Sequence, residues 1–331
     1  MTPAQKKSAV EPLSYRWPAE WEPLDAVWVV PPHNAETWPG CLDAAAAQHA
    51  AWCDAMREVV SVRSTAEQNI PTNDSWVRDF GPLFVREVDG DGRDVPGVLV
   101  AHDFRFNGWG DKYEPRPRDD AAGAAIAAAA GARFVRHEQI LEGGALDTDG
   151  AGTLLTTTDC LLNPSRNNAG RAGERAAIEA QLRDALGVTR AVWLNADLPG
   201  DDTDGHVDNA ARFVAPGVVV VHPAIDPAPL HAAGLEVIAL PGAGPLTYGY
   251  PPDPTVPGDV GGVRPLPASY ANFVIANGRV FVPTFGTAGD EAALRVLDNA
   301  MPGHTPVPVR AEHLVVGLGA LHCLSMQQPA V

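Results

Sequence analysis

The sequence predicts an α/β fold built from five repeated β-plus-helix units. Three observations carry that expectation. Short β-rich stretches recur along the chain at a step of roughly sixty residues, a period at which repeat architectures arise. Helix-like stretches fall between them. No linker or break in composition divides the chain. Five such units would close into one propeller-like domain spanning residues 1–331. An ordinary α/β sheet with both faces covered is the alternative architecture.

Taken in order, the first unit is announced by "DAVWVVPP" around Trp28, followed by a helix-like stretch over 42–59. The second has "GPLFVREVDG" around Phe84 and a helix over 119–130. That helix carries the biased run "AAGAAIAAAAGA". Alanine is the best helix former, so the run reads as a helix with a narrow apolar face and little function. The third has "GTLLTTTDCLLNP" around Leu155, with a helix over 171–186. "ARFVAPGVVVVHP" around Val214 opens the fourth, and "ANFVIANGRVFVPTFG" around Ile275 opens the fifth, which leads to a helix over 287–301. "APG" and "ANG" each sit between two strand-like halves, which predicts hairpins.

With 331 residues, 45% of them hydrophobic, the chain can bury a large core. Its formal charge of −17, from 24 basic and 41 acidic residues, disfavours nucleic acid and anionic membranes and favours cationic partners. The opening "MTPAQKKSAVEPLSYRW" has no apolar core of a secretory signal. No run approaches the ~18 apolar residues of a membrane span. Cys41, Cys53, Cys160 and Cys323 form no CxxC pair and no dense disulfide framework. A reduced, cytoplasmic protein is expected.

Five stretches are over-specified for loops. "WPAEWEPLDAVWVVPPHNAETWPG" (17–40) holds three Trp besides Trp28, for which packing is the simplest role. "NDSWVRDFGP" (73–82) places Trp76 and Asp79 just before a strand, although Arg78 and Asp79 could form a surface pair. In "LEGGALDTDG" Glu142 precedes two glycines that permit close backbone approach, or simply forms a solvated turn.

"DDTDGHVDNAARFV" (201–214) crowds acidic residues around His206. An EF-hand register with Gly205 at position six would put Gly200 at position one and Ala211 at position twelve, so calcium ligation fails. A zinc site needs several His or Cys at ligand spacing, and His206 stands alone here. If the segment is extended, His206 and Asp208 share one face, as suits proton transfer and cation binding. In "VVGLGALHCLSMQQP" (315–329) an apolar strand leads into glycines and then His322 and Cys323. A free cysteine is usually a small buried hydrophobe, the reading kept for Cys41, Cys53 and Cys160. Cys323 differs because Gly317, Gly319 and His322 place it in a tight turn beside polar groups.

These five stretches, with "PASYANFVIANGRVFVPTFG" and "FNGWGDKY" (106–113), resemble the agmatine deiminase family of guanidine-modifying enzymes, related to bacterial peptidylarginine deiminases. The matches run in order from Trp17 to Pro329. The resemblance implies a five-bladed α/β propeller of the pentein type, without metal or cofactor. It implies hydrolysis of agmatine to N-carbamoylputrescine and ammonia through a thiouronium on a cysteine. The family's nucleophile falls on Cys323, its histidine on His206, its guanidinium-binding carboxylates on Asp79 and Asp208, and its further glutamate on Glu142. Trp76 is expected to pack on the substrate's aliphatic chain and Asp202 to face the distal amine, with Asp204 as the other candidate.

The sequence departs from the family in three places. "GLGALHC" replaces a usual "GGGNIHC", so Leu318 and Ala320 stand for a glycine and a polar residue. The stretch 244–266 is Pro/Gly-rich and short, and the region after "FNGWGDKY" lacks the usual aromatics. The expected partner is a small cationic guanidino compound, and a homo-oligomer is compatible with the sequence. Competing functions are deimination of peptidyl-arginine or another guanidino compound, amidino transfer to an amine, non-catalytic guanidine binding, and metal-dependent hydrolysis.

Overall fold

Five of the six small sheets in the computed structural model, which describes residues 14–114, 116–166, 175–252 and 260–331, repeat one connectivity. In each, an antiparallel pair is followed by a helix and a third strand parallel to the second. The fourth unit shows the pattern in its simplest form. Ala211–Ala215 pairs antiparallel with Val218–Val221, Ala228–Ala232 is a helical turn, and Glu236–Ala239 lies parallel. A parallel neighbour requires a crossover, and the helices supply it.

The first unit draws on both ends of the described chain. Leu24–Val29 pairs in parallel with Ser61–Ser64 across the helix Leu42–Met56, and its antiparallel partner is Ser325–Pro329. The second combines Leu83–Val88, Asp94–Arg105, the helix Pro117–Ala130 and Arg133–Ile140, with Tyr15–Arg16 added at its edge. The third combines Asp147–Thr148, Thr153–Thr157, the helix Arg175–Leu186 and Arg190–Leu194. The fifth combines Val274–Ala276, Arg279–Thr284, the helix Asp290–Ala300 and Thr305–Arg310.

The single open sheet is therefore replaced by separate small ones. Both hairpins form where expected. Asn277 and Gly278 take φ values of +41° and +87°, as a tight turn with two left-handed residues requires. The helix over 117–130 starts with Pro117, has Asp119 and Asp120 in its first turn, and stops at Gly131 with φ +69°. Its Asp119 carboxylate accepts the backbone N–H groups of Asn73 (2.6 Å) and Asp74 (3.2 Å), so the alanine-rich helix anchors the loop that precedes Asp79.

Some expectations give way. "VVG" before the Cys323 turn lies in the 3₁₀ turn Leu314–Gly317 rather than a strand, because this stretch caps onto a left-handed residue, Leu318. The turn Ala228–Ala232 was not foreseen, since Pro227 and Pro229 obscure its short helical pattern. The Pro/Gly-rich stretch contributes a separate hairpin, Thr247–Tyr250 with Gly262–Pro265. Its residues 253–259, the expected helix start at 171–174, and the opening residues 1–13 lie outside the described residues. Among the described residues no helix is long and apolar enough to cross a membrane.

A large apolar core links the units, with Trp28, Trp38, Trp52, Phe84 and Phe281 fully buried. Arg212, also fully buried, ties several units together. It bonds to Asp147 (2.7 Å), to Glu20, and to the backbone carbonyl of Phe273 (3.0 Å). Arg212→Met should therefore strand two buried carboxylates and destabilise the fold by about 3–5 kcal/mol. A urea-unfolding midpoint matching the wild type would show that Arg212 does not carry this load.

Candidate active site

Each of the five units sends a polar group from the turn that enters its first strand. Asp79 lies in the one-turn helix Val77–Phe80, ahead of Leu83–Val88. Glu142 begins the 3₁₀ turn Gly143–Ala145, ahead of Asp147–Thr148. His206 begins the one-turn helix Val207–Ala210, which contains Asp208 and leads into Ala211–Ala215. Asn272 precedes Val274–Ala276, and Cys323 precedes Ser325–Pro329. All of these side chains are buried.

The Cys323 thiol lies 3.4 Å from Asp208 Oδ2 and accepts a hydrogen bond from Asn272 Nδ2 at 3.1 Å. Burial, then the charges of Asp208 and Asp79, hold this thiol well above its ordinary pKa, and the Asn272 amide opposes them. At neutral pH the thiol of the free protein is protonated. Asp208 Oδ2 also accepts from His322 Nδ1 at 2.8 Å, while Oδ1 is buried with no hydrogen-bond partner among the described residues. Burial pushes the Asp208 carboxyl up, but the His322 hydrogen bond and nearby positive charges overcome this and leave it low.

His206 stands across from this pair. Its Nε2 bonds to Glu142 Oε2 at 3.0 Å. Its Nδ1 lies 3.6 Å from Asp79 Oδ1, too far for a hydrogen bond, and has no other partner among the described residues. Burial opposes the imidazolium most strongly, yet Asp79, Cys160 and Glu142 together raise its pKa well above the usual value. Asp79 itself is pushed up to about 6, chiefly by burial and by the neighbouring carboxylates Asp208 and Glu142, against His206 and a hydrogen bond from Trp109 Nε1 (2.9 Å). Its Oδ1 accepts the Gly144 N–H at 3.0 Å. A Cβ on Gly144 would lie 2.5 Å from His206 Nδ1, 2.8 Å from Asp79 Oδ1 and 3.2 Å from Asp208 Oδ2. The second glycine of "EGG" therefore keeps open the point where these three groups meet.

Behind Glu142 sits Arg166, fully buried, whose Nε donates to the carboxylate at 2.9 Å. Burial raises the Glu142 pKa, and the hydrogen bond from His206 and the charge of Arg166 lower it further than burial raises it. Glu142, Cys160 and His206 are close enough to act as ligands to one ion. Glu142 is already engaged by the Arg166 guanidinium, which would repel a dication.

A cavity of about 700 Å³ reaches this centre, and Cys323, Asp79, Trp76, Trp109 and Asp202 line it. Trp76 is buried and tilts against Trp38, with ring centroids 5.4 Å apart. Asp202 accepts from the Tyr113 hydroxyl. Leu318, also on the wall, holds φ +73°, a left-handed conformation that costs a side-chain-bearing residue about 1–2 kcal/mol.

The sequence-predicted residues Asp79, Glu142, His206, Asp208 and Cys323 are thus brought together, with Trp76 and Asp202 on the approach. Several local expectations are corrected. His206 and Asp208 are not on one face of an extended strand, because residue 206 starts a helical turn, and the carboxylates beside His206 are Glu142 and Asp79. Arg78 and Asp79 are not a surface pair: Arg78 is buried and bonds to Gln327 (2.6 Å) and the His322 carbonyl (3.2 Å). Glu142 is fully buried rather than solvated. Asp204 is taken by Arg166 and by Lys112 (2.7 Å). Sequence reasoning missed Trp109, Arg166, Glu20 and Asn272. For Asn272 a signal existed, since it occupies the turn before its unit's first strand, as the other site residues do.

The profile of the Porphyromonas-type peptidyl-arginine deiminase family matches residues 16–329. The chain is 34% identical to agmatine deiminase of Pseudomonas aeruginosa and 35% identical to that of Pseudomonas putida, over 96% of each chain. Among solved structures it is similar to a cysteine-to-serine variant of C. jejuni agmatine deiminase with substrate bound. The TM-score is 0.82 at 26% identity, over 98% of both chains. It is also similar to Enterococcus faecalis agmatine deiminase, with a TM-score of 0.81 at 27% identity over 96% of both chains.

Because the thiol is held up, alkylation of Cys323 by neutral iodoacetamide should be slow at pH 7 and should still be rising at pH 9. Asp208→Asn removes one of the charges that hold it up and should speed labelling at pH 7. Fast labelling independent of pH between 6 and 8 would contradict the protonated thiol.

Proposed function

The chain belongs to the Porphyromonas-type peptidyl-arginine deiminase family, and within it we propose that the chain hydrolyses the guanidinium group of agmatine to N-carbamoylputrescine and ammonia. One observation carries the reading. A cysteine thiol shares a buried centre with two carboxylates and a histidine, and two atoms there, Asp208 Oδ1 and His206 Nδ1, have no partner among the described residues. Buried polar atoms are normally satisfied, so Asp208 Oδ1 marks where a donor of a ligand belongs, and His206 Nδ1 beside it is placed to pass a proton to the bound group. A guanidinium is a planar cation with N–H donors on every side. The repeated units support a further reading, that the whole chain, 1–331, is one catalytic domain arranged as a five-bladed α/β propeller around this centre.

In this mechanism Asp79 and Asp208 hold the guanidinium in charge-assisted hydrogen bonds and orient its carbon toward Cys323. The bound cation offsets the two charges that keep the thiol protonated, so substrate binding itself lowers the thiol pKa and the thiol gives its proton to solvent water. The thiolate forms an S–C bond and gives a tetrahedral adduct. The imidazolium of His206 protonates the leaving nitrogen, the C–N bond breaks, and ammonia departs. Neutral His206 then takes a proton from water as its oxygen adds to carbon. Collapse of this second adduct breaks the S–C bond, the hydroxyl proton passes to the departing sulfur, and the ureido product leaves Cys323 as the thiol. Proton transfer of this kind contributes about 10²–10⁴ in rate. Glu142, fixed by Arg166, orients His206 and favours its charged form. Trp76 packs on the four-carbon chain, and Asp202 faces the distal amine.

The test is ammonia and ureido product from agmatine, for wild type and Cys323→Ala. Product from wild type alone is expected. Release from arginyl peptides but not agmatine would move the reading to the peptide substrate. Binding that survives Cys323→Ala, without ammonia from either protein, would leave only guanidine binding.

A pH profile follows from Asp79. Its raised pKa means that the carboxylate takes a proton as pH falls through about 6, and a neutral acid cannot pair with a guanidinium. Free-enzyme kcat/KM should therefore fall below about pH 6. A profile flat down to pH 5 would remove Asp79 from guanidinium binding.

A further inference from the structure

A second histidine lies beside the nucleophile, and the mechanism above gives it no part. His322 is buried, with a carboxylate oxygen at each ring nitrogen: Asp208 Oδ2 at 2.8 Å from Nδ1 and Glu20 Oε2 at 3.3 Å from Nε2. The ring is thus bracketed by two acids from distant parts of the chain. We propose that His322 is a positioning residue for Asp208, and that Glu20, from the turn between Tyr15–Arg16 and Leu24–Val29, is the anchor that holds it there.

The contacts decide which oxygen of Asp208 is free. Oδ2 is shared by His322 and the Cys323 thiol, and Oδ1 is left bare. A carboxylate fixed through one oxygen presents the other in a set direction, so His322 fixes both the distance to sulfur and the lone pairs offered to a cation. His322 is itself held on three sides. Its backbone N–H donates to Asn272 Oδ1 (2.9 Å), its carbonyl accepts from Arg78 Nε (3.2 Å), and its ring is backed by Glu20. Glu20 in turn accepts from the Ile275 N–H (2.7 Å) and from Arg212, which also holds Asp147. The line Arg212–Glu20–His322–Asp208–Cys323 is an unbroken run of polar contacts that ends at the thiol. Arg78, Asp147, His206 and Asp79 are the other charged groups around it.

Glu20 explains a motif that packing alone did not. The first loop, "WPAEWEP", needs an acid there because its carboxylate closes this line from across the molecule. Burial raises the Glu20 pKa, but Arg212 and His322 bring it down to about 2, so it stays charged over the working pH range.

The inference rests on the proposed reaction for its kinetic arm, but its second arm needs no turnover. His322→Gln keeps a donor of similar reach but cannot bridge the two acids as the ring does, and Glu20→Gln removes the anchor's charge with almost no change of shape. Both should lower kcat/KM for agmatine by about tenfold or more, with KM taking part of the loss because Asp208 contacts the substrate's cation. Both should also shift the pH midpoint of Cys323 alkylation by about one unit, because Asp208 Oδ2 is then no longer fixed at 3.4 Å from the sulfur. Circular dichroism and the melting temperature show whether each variant folds. If His322→Gln does not fold, the alkylation midpoint of Glu20→Gln decides alone. A folded variant with a lower melting temperature but a wild-type midpoint would show that the line is structural only and would overturn the proposal. If wild type turns over no guanidine while the midpoints still move, the positioning role stands and the reaction is what fails.

Discussion

Buried carboxylates need counter-charges, and this requirement organises the molecule. Glu20, Asp79, Glu142, Asp147 and Asp208 are all withdrawn from water near one point. An uncompensated buried charge costs several kcal/mol, against a total stability of about 5–15 kcal/mol for a typical domain. Arg212 therefore answers Glu20 and Asp147, Arg166 answers Glu142, and a hydrogen bond from His322 satisfies one oxygen of Asp208. Asp79 is the exception. Its neighbour His206 is 3.6 Å away, and its carboxyl is left high.

The repeated unit explains how residues far apart in sequence reach this point. Every unit enters its first strand through a short turn, and every such turn delivers a site residue: Asp79, Glu142, His206 with Asp208, Asn272 and Cys323. The first unit joins the two ends of the described chain, so Cys323, just before Ser325–Pro329, is set by that strand's pairing with Leu24–Val29. Ladder hydrogen bonds fix the strands, and the strands fix the turns. The functional groups then inherit their precision from backbone rather than from flexible side chains.

The crowded acids around His206 resolve into separate duties. Asp201 builds the loop by accepting from the Thr203 and Gly205 N–H groups at 3.0 and 2.8 Å. Asp202 lines the cavity, Asp204 is consumed by Arg166 and Lys112, and Asp208 meets the thiol. Charge density along the sequence marked the region but could not divide the work. That division depends on which basic groups arrive from elsewhere. The same limit hid Arg166, which reads in sequence as an ordinary residue of "NPSRN", and Trp109, whose left-handed φ of +57° turns its indole onto Asp79.

The sequence by itself determined the hairpins at Pro216–Gly217 and Asn277–Gly278 and the helices with alanine-rich or amphipathic patterns, and it pointed to five β-rich units and to the candidate residues Asp79, Glu142, His206, Asp208 and Cys323. These are local properties, set by turn chemistry, helix propensity and side-chain type within a few neighbours. Tertiary structure alone decided the ionic partners: Glu20 against His322, Arg166 against Glu142, and His206 between Glu142 and Asp79 rather than beside Asp208. It also decided that "VVG" tightens into a 3₁₀ turn and that Leu318 takes a glycine's conformation on the cavity wall. Those outcomes come from charges and strands separated by tens to hundreds of residues. Electrostatic pairing in a buried centre depends on distance in space, which spacing along the chain does not encode.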